Sequence, residues 1–320
     1  MNFAFIFDNP SKVCSRLEAD KLDIATLGVD RFVWLDFDNP REPLAQRVLD
    51  ELDIPNAEID VLIASEPYYF KHRQNYLLNR MQICSQQDHV FVSSPLTIVM
   101  CEKAIVTFHP HSDPSIIRVS EEVEESFKAV GRTTGFIYFL LWNALIDGFL
   151  PQLFSISEQM DRLDEQILAG KVTQSIFNET LQCRHSIRIL RSSLSPMQRI
   201  MRDLVNTRLE LISDDARKFL TGLFEHMEWI AEAIDSLQES IFATLQGYHS
   251  SVSLQINNSM RLLSIIATIM MPLSLITAIY GTNFPYMPEF SWKYSYFVFL
   301  FFLFAVGLTM LFFFRRKHWL

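Results

Sequence analysis

The fold is decided by two uncharged apolar runs. Residues 262–280 read LLSIIATIMMPLSLITAIY and residues 294–314 read YSYFVFLFFLFAVGLTMLFFF, and they are joined at 281–293 by GTNFPYMPEFSWK. Each run has about the twenty residues that a helix needs to cross a hydrocarbon core of roughly 30 Å. The sequence therefore predicts an integral membrane protein with two membrane-spanning helices.

The part before Leu262 has the composition of a soluble protein. The mean hydropathy of the chain is only +0.13, and nearly all of its 20% charged residues precede this position. Such a length of chain can fold around a core of its own. The opening segment lacks a basic stretch followed by a long apolar run, so we expect no signal peptide.

Basic residues set the predicted orientation. Arg261 precedes the first run and Arg315–Lys317 follow the second, whereas the connecting loop offers only Lys293 against Glu289. The positive-inside rule then places both termini in the cytoplasm and the loop outside. The predicted location is a bacterial inner or plasma membrane.

The soluble part changes from mixed to helical patterning. Short β-rich runs are predicted as strands, and the last two of them as a hairpin turning at Glu102 and Lys103: Phe3–Phe7, Arg31–Phe37, Leu96–Cys101 and Ala104–Phe108. A helix is predicted over Pro43–Leu52. Beyond residue 115 the periodicity is helical.

Three long helices are predicted in that second part. They cover Thr134–Leu168, Thr173–Val205 and a continuous stretch from about Asp214 to Tyr280, in which Pro272 does not end the helix. The predicted divisions are a cytosolic α/β domain 1–112, a cytosolic helical hairpin 113–212, a stalk helix 213–261, membrane helix 262–280, outer loop 281–293, membrane helix 294–314 and a basic tail 315–320.

The two apolar runs differ in pattern. The second is bulky and aromatic on every face, as expected of a helix surrounded by lipid. The first carries a stripe of small, weakly polar or thioether side chains at helical spacing: Asn257, Met260, Ser264, Ala267, Met271, Ser274 and Ala278. This stripe fits either a pore wall or a seam for helix packing. Because one helix cannot enclose a pore, the pore interpretation requires several copies of the chain.

Charged and metal-binding residue types give weaker signals. The formal charge is −9, and acidic clusters at 121–125 and 161–165 indicate solvated helix faces or, alternatively, attraction of divalent cations. The segment His109–His111 is interpreted as loop or surface. The cysteines are widely spaced and are expected to be reduced, structural thiols: Cys14, Cys84, Cys101 and Cys183.

The connecting segment resembles a known signature. Tyr280–Phe284 followed by Tyr286–Glu289, between two spans and before a basic ending, is similar to the Y-G-M-N-F and M-P-E motifs of the CorA-type magnesium transporter family. The resemblance implies an α+β membrane protein that forms a funnel-shaped homopentamer. It also implies a selectivity filter at Gly281, Thr282 and Asn283, with a ring of Asn283 side chains that contacts hydrated Mg²⁺ through its water shell.

The resemblance also assigns pore and loop residues. The pore-lining positions that it implies are Asn257, Met260, Leu263, Ala267, Met271 and Ser274. Met260 and Leu263 correspond to a hydrophobic constriction near the cytoplasmic end, and Glu289 is expected to attract cations in the outer loop. The partners implied are further copies of the chain, divalent cations and membrane lipids, with no cofactor and no nucleic acid.

Some positions depart from the family pattern and keep alternatives open. Thr282 replaces the methionine of the signature, Pro285 stands where glutamate is frequent, and the stalk acid that senses cytoplasmic Mg²⁺ in relatives falls at Gly222, with Glu225 one turn later. Transport of Co²⁺ or Ni²⁺, or of Zn²⁺ as in the zinc branch of the superfamily, therefore stays open. A membrane-anchored scaffold or sensor is the alternative of another class. No nucleotide-binding or hydrolase motif is present, so an enzyme is not expected.

Overall fold

The computed structural model describes residues 3–17, 27–28, 30–55, 57–60, 67–87, 90–109, 114–129, 133–282, 287–317 and 319. The chain forms two compact units, one from Met1–Glu165 with Gln174–Thr244 and the other from Gln166–Thr173 with Leu245–Leu320. The first contains a sheet and its covering helices. The second contains the two apolar runs.

The first unit is built on a seven-stranded sheet. Its strands are β1 Phe3–Asp8, β2 Val13–Leu17, β3 Arg31–Phe37, β4 Tyr69–His72, β5 Tyr76–Gln87, β6 Val90–Cys101 and β7 Ala104–Phe108, in the order β2-β1-β3-β7-β6-β5-β4. Only β3 and β7 run parallel. The four predicted strands and the hairpin between β6 and β7 are confirmed, whereas β2, β4 and β5 were not predicted.

The hairpin of β5 and β6 is longer than its neighbours. Twelve residues of each strand pair with one another, but β4 pairs only with Leu77–Arg80 and β7 only with Thr97–Met100. The rest is a two-stranded ribbon. Pro95 lies in this ribbon, where β6 has β5 on one side only, so its missing N–H is tolerated.

Both faces of the sheet are covered. Helix α1, Pro43–Glu51, buries Ala45 and Leu49 against a cluster that includes Val33, Leu35 and Val106. The opposite face carries α2, Pro114–Ala129, and α3, Thr134–Asp147, whose Tyr138 and Trp142 side chains are fully buried. Burying these aromatic rings removes a large apolar area from water, which makes α3 part of the core.

The predicted helix Thr134–Leu168 is interrupted once. It divides into α3 and α4, Phe149–Leu168, at Gly148, whose own backbone stays helical with φ −61° and ψ −17°. Pro151 has no N–H to donate to the carbonyl of Asp147, and the Gln152 side-chain amide donates to the Gly148 carbonyl at 3.2 Å. Helix α5 covers Gln174–Asn206, within one residue of the prediction.

Helix α6 is the longest element and covers Asp214–Tyr280. Ser213 accepts a hydrogen bond from the Ala216 N–H at 3.2 Å, which caps the first turn. The helix continues through Pro272, as predicted. A short 3₁₀ turn, Pro288–Ser291, precedes helix α7, Ser295–Arg316.

Candidate functional site: one face of helix α6

Helix α6 buries one narrow face within the second unit. Ile265 is 3% exposed, and Ile269, Leu273 and Ile276 are half-buried. These positions recur every three or four residues, so they share one side of the helix. They form the side against which α7 packs.

Two contacts define the packing of α6 with α7. A methyl group on Gly307 would lie 3.7 Å from Cδ1 of Leu273, an ordinary van der Waals distance. The ring centroids of Tyr280 and Phe299 are 4.9 Å apart. Gly307 therefore lies at the contact between the two helices, where small residues are common in membrane proteins. The prediction of the site did not include it, although one glycine in a bulky aromatic run was a visible signal.

The predicted pore-lining residues lie on the other side of α6. At about 100° per residue, the mean direction of the stripe is roughly 180° from that of the face packed on α7. Every predicted pore residue is exposed in the protomer, with Met260 at 56%, Leu263 at 59% and Met271 at 78%. Asn257, Ala267 and Ser274 are exposed too. The protomer therefore leaves this whole face, here named the α6 stripe, without a covering element from its own described residues.

Two threonine hydroxyl groups on this part of α6 are satisfied locally. Thr268 donates to the Ser264 carbonyl at 2.7 Å, and Thr277 donates to the Leu273 carbonyl at 2.8 Å. Such bonds let hydroxyl side chains stay in an apolar environment at little cost.

The end of α6 leads directly into the predicted filter. The Gly281 N–H donates to the Thr277 carbonyl at 3.0 Å and the Ala278 carbonyl at 3.1 Å, and the Thr282 hydroxyl donates to the Ile279 carbonyl at 2.6 Å. A helix C-terminus carries a partial negative charge, which favours a nearby cation. Asn283 itself, with Phe284–Tyr286, lies outside the described residues.

The remaining candidate residues are separate from this face. Glu289 lies in the 3₁₀ turn after the filter. In the acidic clusters, Glu124 forms an ion pair with Lys128 at 2.7 Å, and Asp164 accepts a hydrogen bond from Thr244 at 2.6 Å. Among the residues that the structure describes, no three His, Cys, Asp or Glu side chains are grouped closely enough to hold a metal ion.

Three cysteines are buried thiols, and the burial of His109 corrects a prediction. Cys14, Cys101 and Cys183 are buried free thiols, and burial raises the pKa of Cys101 to about 12. His109, interpreted from sequence as loop or surface, is instead 5% exposed. Its Nε2 lies 3.0 Å from each carboxylate oxygen of Asp36, and this buried partner explains the difference.

Three described helical segments are long and apolar enough to cross a membrane: Thr134–Leu168, Asp214–Tyr280 and Ser295–Arg316. They differ in burial. Half of the most apolar stretch of the first is buried inside the protein, against 6% in each of the others. The first is the α3–α4 segment, in which α3 packs against the sheet.

A sequence model of the CorA-like Mg²⁺ transporter protein family matches residues 29–316. The chain belongs to this family. It is therefore an oligomeric integral membrane transporter of divalent metal ions and not an enzyme.

Individual relatives agree with this assignment. The chain is 26% identical to the cobalt/magnesium transport protein CorA of Thermotoga maritima over 284 residues, which is 88% of this chain and 81% of that protein. Its fold matches the complete CorA magnesium transporter structure from Methanocaldococcus jannaschii with a TM-score of 0.85, at 17% identity, over 99% and 98% of the two chains. The ZntB cytoplasmic domain of Vibrio parahaemolyticus matches with a TM-score of 0.64, at 13% identity, over 79% and 99%.

Proposed function

We propose that this protein conducts hydrated Mg²⁺ through a homopentameric pore lined by the α6 stripe. In this proposal the C-terminal part of α6, residues 262–280, and α7 span the membrane, and both chain termini are cytoplasmic. The ring of Asn283 side chains selects the ion at the outer mouth, next to Gly281 and Thr282. Mg²⁺ is favoured because the T. maritima relative is a cobalt/magnesium transport protein and the M. jannaschii relative is a magnesium transporter.

One observation carries the proposal: the α6 stripe and the α7-packing face lie on opposite sides of α6. The second unit uses Ile265 and its neighbours for internal packing and leaves Met260, Leu263 and Met271 exposed. A helix arranged in this way can pack α7 on its outer side while several copies turn the stripe toward a common axis. A closed ring of helices also keeps every backbone polar group bonded within the membrane.

The chemistry of an amide ring suits Mg²⁺. This ion keeps its water molecules tightly, so a filter that hydrogen-bonds those waters avoids the cost of removing them. A carboxylate ring would hold a divalent ion more strongly and slow its release. The C-terminus of α6 adds an attraction for cations of any kind, because its partial negative charge lies immediately before the filter.

The proposal also specifies how the pore closes and what drives the ion through it. Met260 and Leu263 form an apolar constriction that blocks hydrated ions by dewetting when the helices approach one another. Entry is passive and follows the membrane potential, which contributes about 2.3 kcal/mol per elementary charge per 100 mV and twice that for a divalent ion. Glu289 raises the local cation concentration at the outer mouth.

The proposal is tested by placing the same bulky residue at one alanine of α6 and at one alanine of α7. Ala267 is exposed and belongs to the α6 stripe, whereas Ala305 is a half-buried alanine on α7, two residues before Gly307 and therefore on the other side of that helix. In liposomes containing the purified protein, Ala267→Phe should reduce Mg²⁺ flux at least about tenfold, because a ring of phenylalanines narrows the pore. Ala305→Phe is the matched control and should retain normal flux. Equal flux in both variants would refute the pore assignment.

Zn²⁺ transport is the second candidate, because Thr282 departs from the signature and the soluble fold matches a ZntB domain. The soluble domain of M. jannaschii CorA matches with the same TM-score of 0.64, so this fold favours neither ion. Flux of Mg²⁺, Zn²⁺, Co²⁺ and Ni²⁺ in separate liposome experiments, with and without a pH gradient, separates the two. A membrane-anchored scaffold instead predicts that Asn283→Ala leaves cation flux unchanged.

A further inference from the structure

The first unit contains an arginine-rich cleft that the transport proposal does not use. The cleft lies between α5 and α6 and has a volume of about 870 Å³. We name it the arginine cleft, and its basic and acidic lining residues are Arg184, His185, Arg188, Arg191, Asp235 and Glu239. Small-molecule sites in proteins typically enclose about 300 to 1,000 Å³.

The three arginines lie on one face of α5. Their spacing of four and three residues places them on adjacent turns of the helix. Arg191 forms an ion pair with Asp235 of α6. Within the described part of the chain, Arg184 and Arg188 have no carboxylate partner. Two like charges one turn apart repel each other, so this pair is stabilised when an anion binds between them.

Both unpaired guanidinium groups are held in place by neighbours that carry no negative charge. Arg184 lies over the ring of Phe242, 5.7 Å from its centroid. Arg188 donates from Nη2 to Nδ1 of His185 at 3.0 Å. These contacts orient the side chains without neutralising them. The floor of the cleft is apolar, since Ile187 and Ile241 are each 1% exposed.

We propose that the arginine cleft binds a soluble polyphosphate anion of the size of a nucleoside di- or triphosphate. Guanidinium groups pair with phosphate oxygens in a bidentate geometry, and two such groups one turn apart match neighbouring phosphates. A single inorganic phosphate would fill little of the cleft. Glu239 faces the same space and opposes the anion, so it limits the affinity.

The test uses full-length protein in detergent with EDTA present, so that no divalent ion takes part. Binding of ATP and of inorganic pyrophosphate is measured by calorimetry, with inorganic phosphate and adenosine as comparison ligands. ATP and pyrophosphate should bind, phosphate should bind at least about tenfold more weakly, and adenosine should not bind. The affinity should fall as NaCl is raised, because the arginines are exposed.

Variants identify the residues responsible. Arg184→Gln combined with Arg188→Gln should weaken ATP and pyrophosphate binding at least about tenfold, whereas Glu239→Gln should strengthen it several-fold. Arg199→Gln is the matched control, because Arg199 is exposed on the same helix and does not line the cleft. Thermal melting confirms that each variant is folded.

Three results would overturn the proposal. The first is an absence of ATP and pyrophosphate binding by the wild-type protein, and the second is unchanged binding by the double variant. The third is a ligand-independent loss of oligomeric mass in the double variant, which would assign the cleft to an acidic segment of a second copy. Binding is measured without transport, so failure here leaves the Ala267→Phe flux test unaffected.

Discussion

The two halves of helix α6 differ in how far their side chains are buried, although they belong to one element. Within Asp214–Thr244 a regular series of side chains is buried by the first unit, including Leu220, Met227 and Ile234, each of which is 0% exposed. From Leu245 to Tyr280 only Ile265 is fully buried. The first half is therefore stabilised by its own core. The second half presents a surface that lipid and further copies of the chain complete.

The largest expected effect compares two methionines on this helix. Met227→Ala should lower the free energy of unfolding by about 2 to 5 kcal/mol, because it leaves a cavity in a packed core. Met271 is 78% exposed, so Met271→Ala should change stability by less than about 0.5 kcal/mol. Urea unfolding of the first unit, monitored by maleimide labelling of Cys101, measures the Met227→Ala variant, and thermal melting of the full-length protein in detergent compares the two variants.

Cys101 suits this measurement because burial both shields its thiol and raises its pKa to about 12. The reactive thiolate is thus scarce near pH 7.5, and labelling requires opening of the first unit. If the two alanine variants lost equal stability, the contrast between the halves of α6 would be wrong.

A smaller effect is expected at the start of the first half. Ser213→Ala removes the acceptor of the Ala216 N–H and should cost about 1 kcal/mol of unfolding free energy. Ser213→Asp retains a capping oxygen and is the control. Mg²⁺ flux through the Ser213→Ala variant is measured as well. An unchanged flux would show that the first half of α6 contributes to stability without affecting conduction. Equal stability of the alanine and aspartate variants would contradict the assigned cap.

The smallest expected effect is a gain. A methyl group on Gly222 would meet nothing within 4 Å, so Gly222→Ala should raise the unfolding free energy by about 0.5 to 1 kcal/mol through helix propensity. Gly170 has φ +76°, a left-handed conformation that penalises a side chain, and Gly170→Ala should be destabilising instead. Thermal melting of the pair measures the difference. A destabilised Gly222→Ala variant would indicate that another copy packs closely on α6 at this point.

Long periodic segments were the predictable part of the fold. The start of α6 followed from the N-terminal signal around Ser213 and its end from the last residue of the first apolar run, Tyr280, and the four strongly apolar strands were recognised. Strand β5 was missed because polar residues such as Asn79 break its pattern. Asn79 is nevertheless buried, and its burial is tolerated because its Nδ2 donates a hydrogen bond to the Tyr138 hydroxyl at 3.1 Å. Partners this distant in sequence cannot be inferred from local pattern.

The exposed face of α6 was predictable to a similar degree, and its role as a pore wall stays a prediction. Spacing alone selected most of the α6 stripe, whereas Leu263 and the role of Asn283 came from the family resemblance. The arginine cleft was not foreseen, because it forms only when α5 and α6 pack side by side. His109 was misjudged for the same reason, as its partner Asp36 lies on another strand.

The ribbon formed by the outer parts of β5 and β6 has a consequence for handling the protein. Beyond the reach of β4 and β7, within the described strands, each side of the ribbon offers backbone amides and carbonyls that a foreign strand could join. Pro95 removes one such donor and interrupts the row on the β6 side. The β6 side of the ribbon is therefore partly protected against pairing with a strand of another molecule. The β5 side is the more exposed to such intermolecular pairing during expression and storage.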